Sequence, residues 1–155
     1  MNIQNIQLLL FDVDGTIAAR DQFQLYPQAA EFFHLLAQRD GRPHAALVTN
    51  QGGPAMRYWM LQDGFGQPEK YPTLAQVTER LERLKTQIPM PTSLYVAYAY
   101  QSKKGGWSPV PPQVAGDPAW SRAWRKPQPG MLLQAMADYG VGETAVLMVG
   151  DMDSD

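Results

Sequence analysis

Short apolar runs that alternate with stretches of helical periodicity constrain this chain more than any other feature. Residues 6–11 are almost continuously apolar and stop at Asp12-Val13-Asp14-Gly15; residues 45–48, Ala-Ala-Leu-Val, stop at Thr49-Asn50-Gln51-Gly52. Residues 93–100 carry Leu94 and Val96 among Tyr95, Tyr98 and Tyr100, and residues 144–149 run into Gly150-Asp151. The first two runs, short and ending in turn residues, read as buried strands, the kind a parallel sheet requires; the alternating residues 93–100 and residues 144–149 read as a third and a fourth strand.

The segments between these runs read as helices. Pro27 opens one that extends to about residue 38, with Ala29, Ala30, Phe32, Phe33, Leu35 and Leu36 on its apolar side and Asp40-Gly41 ending it. A second starts at Pro54 and carries Met56, Trp59 and Met60. Thr73 and Gln76 match a capping box, after which Leu74, Val77, Leu81, Leu84 and Ile88 recur at helical steps. Glu79 and Arg83 lie one turn apart on the wet side of that helix. Pro129-Gly130 leads into a last helix, with Met131, Leu132, Leu133, Met136 and Ala137, closed by Gly140. Residues 101–125 form an irregular stretch rich in Pro, Gly, Lys and Trp, and loops of such length in a compact domain are functional or disordered. Its Trp107, Trp120 and Trp124 suit either a stacking surface for a base or sugar or a set of anchors that pin the loop. Lys103-Lys104 reads as a solvated turn or as a steering charge for an anionic substrate.

Strand and helix in alternation predict an α/β fold, a doubly wound, Rossmann-like parallel sheet with helices on both faces. Residues 1–155 are expected to form a single domain. The stretch between Thr16 and Thr49 is mostly used by a helix, so no large cap domain fits there and the site should be open. With 13 Lys and Arg against 15 Asp and Glu, net charge −2, the chain has no global attraction to nucleic acid or anionic membrane. The absence of cysteine excludes disulfides, thiol nucleophiles and cysteine zinc sites. Leu8-Leu9-Leu10-Phe11 is too short for a signal segment or a membrane span, so a cytoplasmic protein without a membrane partner is expected. His34 and His44 lack ligand spacing and read as structural.

In open parallel sheets, ligands bind beyond the carboxyl ends of the strands. Asp12, Thr49 and Asp151 all fall at or just past predicted strand ends, so the sheet would gather them into one crevice. Here the chain resembles the haloacid dehalogenase (HAD) superfamily of phosphohydrolases, whose motifs are Asp-x-Asp-Gly-Thr, a Thr or Ser after the second strand, a Lys, and a late acidic pair. The Thr49-Asn50-Gln51-Gly52 and Arg125-Lys126-Pro127-Gln128-Pro129-Gly130-Met131 stretches are most similar to the branch holding histidinol-phosphate, heptose-bisphosphate and polynucleotide 3′-phosphatases.

That resemblance implies a set of roles. Asp12 is the nucleophile that forms an aspartyl-phosphate, and Asp14 is the general acid and then base. Gly15 lets the backbone approach phosphate closely; Thr49 donates its hydroxyl and Asn50 its backbone N–H to phosphoryl oxygens. Lys126 neutralises charge on the transferring group, and Arg125 holds a second substrate phosphate or stays exposed. Mg²⁺ is held by Asp12, the backbone carbonyl of Asp14, and Asp151, with Asp155 supporting the metal or Lys126. Asp153 is expected outside the site, and Thr16 is given a turn-capping role and no catalytic one. The implied function is a Mg²⁺-dependent phosphomonoester hydrolase acting on a small phosphorylated metabolite such as a sugar or amino-alcohol phosphate. A nucleic-acid 3′-end phosphatase and a catalytically impaired phospho-binding domain are the alternatives. Two departures stand out. Residues 98–124 lack the Cys and His of the zinc loop common among sugar-bisphosphate phosphatases, so no structural zinc is expected. The chain also stops at Asp155, where related domains continue with a helix and a strand, which reads as a shortened form or an omitted tail.

Overall fold

The structure, a computed structural model, describes residues 5–151. Its elements run β1 (Leu8–Phe11), α1 (Pro27–Ala37), β2 (His44–Asn50), α2 (Gly53–Asp63), α3 (Leu74–Lys85), β3 (Thr92–Ala97), α4 (Gly130–Tyr139) and β4 (Val146–Val149). The strands form a parallel sheet of order β3-β2-β1-β4, with Phe11 level with Leu47 on one side and Val149 on the other. Chain order therefore reverses at β1, which puts the crevice of a doubly wound sheet beside the carboxyl end of that strand.

Both faces of the sheet are covered, which explains the unbroken apolar runs. Leu9, Phe11, Ala45 and Leu47 face a cluster with Phe33 and Leu36 of α1 and Val77, Leu81 and Leu84 of α3. Leu8, Leu10, Ala46 and Val48 face the other way, onto Met131 and Ala135 of α4. All of β1 is buried, whereas β4 at the sheet edge is half-buried throughout. Thr73 and Gln76 make both hydrogen bonds of the capping box that opens α3. The Glu79–Arg83 pair closes at 2.7 Å on the exposed side of that helix.

The expected boundaries change in three places. The strand expected over 144–149 starts at Val146, because Glu143–Ala145 wind into a 3-10 turn. α3 stops at Lys85, because past Thr86 the N–H groups of Gln87 and Ile88 bond carbonyls three residues back, at Leu84 and Lys85, instead of four; Ile88 lies in this tighter turn and is still buried. The strand expected over 93–100 ends at Ala97, where the Tyr98 N–H leaves the sheet to bond the Ala119 carbonyl. The Tyr98 ring packs on Trp120, 5.1 Å between centroids, and burial raises the Tyr98 phenol above its ordinary pKa. Residues 101–125 are ordered by 3-10 turns at Pro112–Val114, Pro118–Trp120 and Arg122–Trp124. Trp120 is buried, and Arg122 sits over the Trp107 ring, so these aromatics pin the loop.

Candidate active site

Elementary sheet geometry builds the site. The Asp12 N–H bonds the Val149 carbonyl at 2.9 Å, one step past the end of the β1–β4 ladder. Asp12 thus stands at the point where the strand order reverses. The chain then turns tightly: the N–H groups of Thr16, Ile17 and Ala18 all converge on the Val13 carbonyl, and Gly15 adopts φ +83°. A side chain at Gly15 would collide with the Asp151 carboxylate, so the loop after β1 and the residue after β4 touch through the space that glycine leaves.

The Lys126 ammonium lies 3.0 Å from Asp12 Oδ1, and both residues are more than nine-tenths buried. Burying two charges is costly unless they are matched, so this pair is a committed electrostatic feature. Lys126 is placed by Asn50 at the end of β2. The Asn50 side chain accepts from the Lys126 N–H and donates to the Lys126 carbonyl, each at 3.0 Å. The Lys126–Pro127 peptide is cis. Gly130, the first residue of α4, packs so close to the Ala123 carbonyl and the Trp124 backbone that any side chain there would force that stretch of the loop away from α4.

Thr49 is 1% exposed at the end of β2, its hydroxyl accepting from Gln51 Nε2 at 3.0 Å. A hydroxyl that accepts one bond keeps its own hydrogen to donate. The same Gln51 nitrogen donates to Asp14 Oδ2 at 2.7 Å, and Arg80 of α3 pairs with Asp14 Oδ1 at 2.7 Å. Sequence reasoning missed both Gln51 and Arg80. Gln51 sits inside the Thr-Asn-Gln-Gly turn, so its spacing from Thr49 was a usable signal. Arg80 gave none, being one charged residue among several on an amphipathic helix.

Beside Asp14 opens a cleft of about 350 Å³ whose lining includes Arg20, Asn50, Lys70, Tyr71, Tyr100 and Arg125. Arg125 donates to the Ala99 carbonyl at 3.0 Å; burial lowers its pKa, and the nearby Tyr100 opposes that shift. Guanidinium stays charged under such shifts, so Arg125 presents a fixed cation at the cleft wall. None of Trp107, Trp120 and Trp124 lines it. The expected cap by Thr16 does not form: its hydroxyl is buried without a hydrogen-bond partner among the described residues. His34 bonds Gln38 and His44 packs on Tyr139, both away from the cleft. Asp153 and Asp155 lie outside the described residues.

No three His, Cys, Asp or Glu side chains cluster as a metal site among the described residues. Mg²⁺ does not require such a cluster, since it takes one or two carboxylates with waters and phosphate oxygens. Two hard carboxylates, Asp12 and Asp151, follow adjacent strands, and Gly15 leaves the space in which the second of them sits. The donor set fits that ion.

Comparison with known proteins gives a family and a structural neighbour. The family model described as polynucleotide kinase 3 phosphatase matches residues 7–153. A solved structure from Mesorhizobium loti (mll2559), designated a HAD-like phosphatase, superposes with a TM-score of 0.56 at 27% identity, covering 97% of this chain. This chain spans 65% of that protein's length. No curated protein matches at a significant level. Among the described residues no helix is long and apolar enough to cross a membrane.

Proposed function

The chain belongs to the polynucleotide kinase 3 phosphatase family of HAD-like phosphatases, and from that premise we propose that it hydrolyses phosphomonoesters through an aspartyl-phosphate on Asp12. The observation that carries the proposal is the buried ion pair of Asp12 and Lys126 at the reversal point of the sheet. A carboxylate with a cation already beside it can approach an anionic phosphoryl group, because the repulsion between the two anions is offset in advance.

Asp12 attacks phosphorus while the bond to the leaving oxygen breaks, and Asp14 delivers its proton to that oxygen. Water then attacks the phosphorus of the aspartyl-phosphate. Asp14 takes a proton from this water, the bond to Asp12 breaks, and inorganic phosphate leaves with Asp12 restored. Lys126 balances charge in both halves, and the Thr49 hydroxyl with the Asn50 N–H bind phosphoryl oxygens. Asp12, Asp151 and the Asp14 carbonyl would hold Mg²⁺, with Asp155 supporting them. When bound, that ion would screen nucleophile from phosphate and draw charge from the phosphoryl oxygens.

The cleft of about 350 Å³ suits a small phosphorylated metabolite, with Arg125, Arg20 and Lys70 available to a second anionic group. Action in the cytoplasm, where such esters and Mg²⁺ are plentiful, belongs to the same proposal. A second reading, a nucleic-acid 3′-phosphatase, is favoured by the matching family model and by Tyr71 and Tyr100 beside those cations. The test is phosphate release from a panel of small esters and a 3′-phosphorylated oligonucleotide, with and without Mg²⁺, against Asp12→Asn. Turnover of small esters that Asp12→Asn abolishes supports the first reading. Turnover of the oligonucleotide alone, falling steeply with salt, supports the second. Binding of phosphorylated ligands with no turnover by the wild-type chain would instead make it a phospho-binding domain.

A further inference from the structure

Arg80 is nearly fully buried, and among the described residues the side-chain hydrogen bonds it makes all go to the loop that carries Asp14. Its Nε donates to the Gln22 carbonyl at 2.8 Å, and one terminal nitrogen donates to the Ala19 carbonyl at 3.0 Å and to Asp14 Oδ1 at 2.7 Å. Gln87, just past α3, ties the same loop through the Phe23 carbonyl and the Leu25 N–H. Backbone carbonyls alone would have accepted a neutral donor, and burying a guanidinium to reach them is costly. The carboxylate of Asp14 is what justifies a cation at this position.

We propose that Arg80 is a positioning residue for the reaction, acting through Asp14. The inference rests on Asp14 being the acid and base of the proposed hydrolysis. Arg80 grips one carboxylate oxygen and Gln51 the other, and Gln51 is itself bonded to Thr49. The plane of the Asp14 carboxylate is therefore set by α3 on one side and by the end of β2 on the other, at the edge of the cleft that Asp14 lines. Proton delivery to a leaving oxygen depends on such orientation, and a misplacement of about 1 Å can cost on the order of 10²-fold in rate. Arg80 thus couples a helix with no part in phosphate binding to the proton-transfer half of the chemistry.

A comparison of leaving groups tests this. An alkyl phosphate needs its leaving oxygen protonated, whereas p-nitrophenolate departs unaided. Arg80→Gln should lower kcat/KM, which reports the reaction up to departure of the leaving group, by roughly 10²-fold on the alkyl ester and by less than about 10-fold on p-nitrophenyl phosphate. Arg80→Lys, which keeps the charge, should recover part of the loss and supplies the same comparison if the Gln variant does not fold. Asp14→Asn should show the same selectivity, and adding Arg80→Gln to it should cost little more, because both changes remove one function. Equal losses on the two esters, or additive losses in the double variant, would reduce Arg80 to a structural tie and overturn the inference. If Asp14→Asn itself does not discriminate between the esters, the assignment of Asp14 fails, and the role of Arg80 fails with it.

Discussion

Gly15→Ala separates the fold's requirement for glycine from the site's requirement. Gly15 has φ +83°, a backbone region that costs a residue with a side chain about 1–2 kcal/mol. The added methyl would also strike the Asp151 carboxylate. Asp151 is exposed, so its side chain can rotate away at little folding cost, and the backbone term should dominate stability. At roughly 2–4 °C per kcal/mol for a domain of this size, Tm should fall by about 2–8 °C. Function should suffer more. With the carboxylate displaced, the Mg²⁺ concentration for half-maximal hydrolysis should rise by roughly 10- to 100-fold, the scale seen when a ligand's support is lost. Gly116→Ala is the control, because Gly116 has φ +88° and nothing within 4 Å of the added carbon. It should show a similar Tm loss and no change in Mg²⁺ dependence. The paired measurements are calorimetric melts without metal and Mg²⁺ titrations of p-nitrophenyl phosphate turnover. A Gly15→Ala variant with the Tm loss but wild-type Mg²⁺ dependence would refute the reasoning, since Asp151 would then have no part in holding the ion.

Further predictions concern the buried charges and the tyrosines. Lys126→Met should cost about 3–5 kcal/mol in denaturant unfolding, because it takes the cation from a buried carboxylate. Lys126→Met combined with Asp12→Asn should be more stable than Lys126→Met alone; if the double variant is the less stable, the pair is not the source of the cost. Tyr95 has its pKa raised above the usual 10.0, first by burial and then by its hydrogen bond to Asp138, so the native state holds that proton more tightly than the unfolded chain. Its contribution is intact below about pH 10 and is lost as pH rises beyond that value, where only the unfolded state releases the proton. Tyr95→Phe should therefore flatten the fall of stability with alkaline pH, and an unchanged slope would contradict the assignment.

Much of the fold could be read from the chain because its two central strands are buried on both faces. Leu8–Phe11 and Ala45-Ala46-Leu47-Val48 stand out without any knowledge of their neighbours. The helix over Leu74–Lys85 was readable for a different reason: its capping box and its apolar stripe are both local patterns. Residues 101–125 were not, since their order comes from distant contacts such as the Tyr98 N–H to the Ala119 carbonyl and short turns with no periodicity. The site divides along the same line. Asp12, Thr49 and Asp151 were marked by strand ends, and the parallel sheet brings those ends side by side. Arg80 stayed hidden because only tertiary folding carries a helix residue to a carboxylate 66 positions earlier.

The most direct test of the account is to identify where phosphate is held during turnover. Asp14→Asn, supplied with Mg²⁺ and p-nitrophenyl phosphate, should still accept the phosphoryl group and then release it slowly, so rapid acid quenching and peptide mass analysis should find one phosphoryl group on Asp12. The same experiment with Asp12→Asn added should find none. A phosphoryl group on any other side chain, or steady hydrolysis that leaves the protein unmodified at every time point, would contradict it.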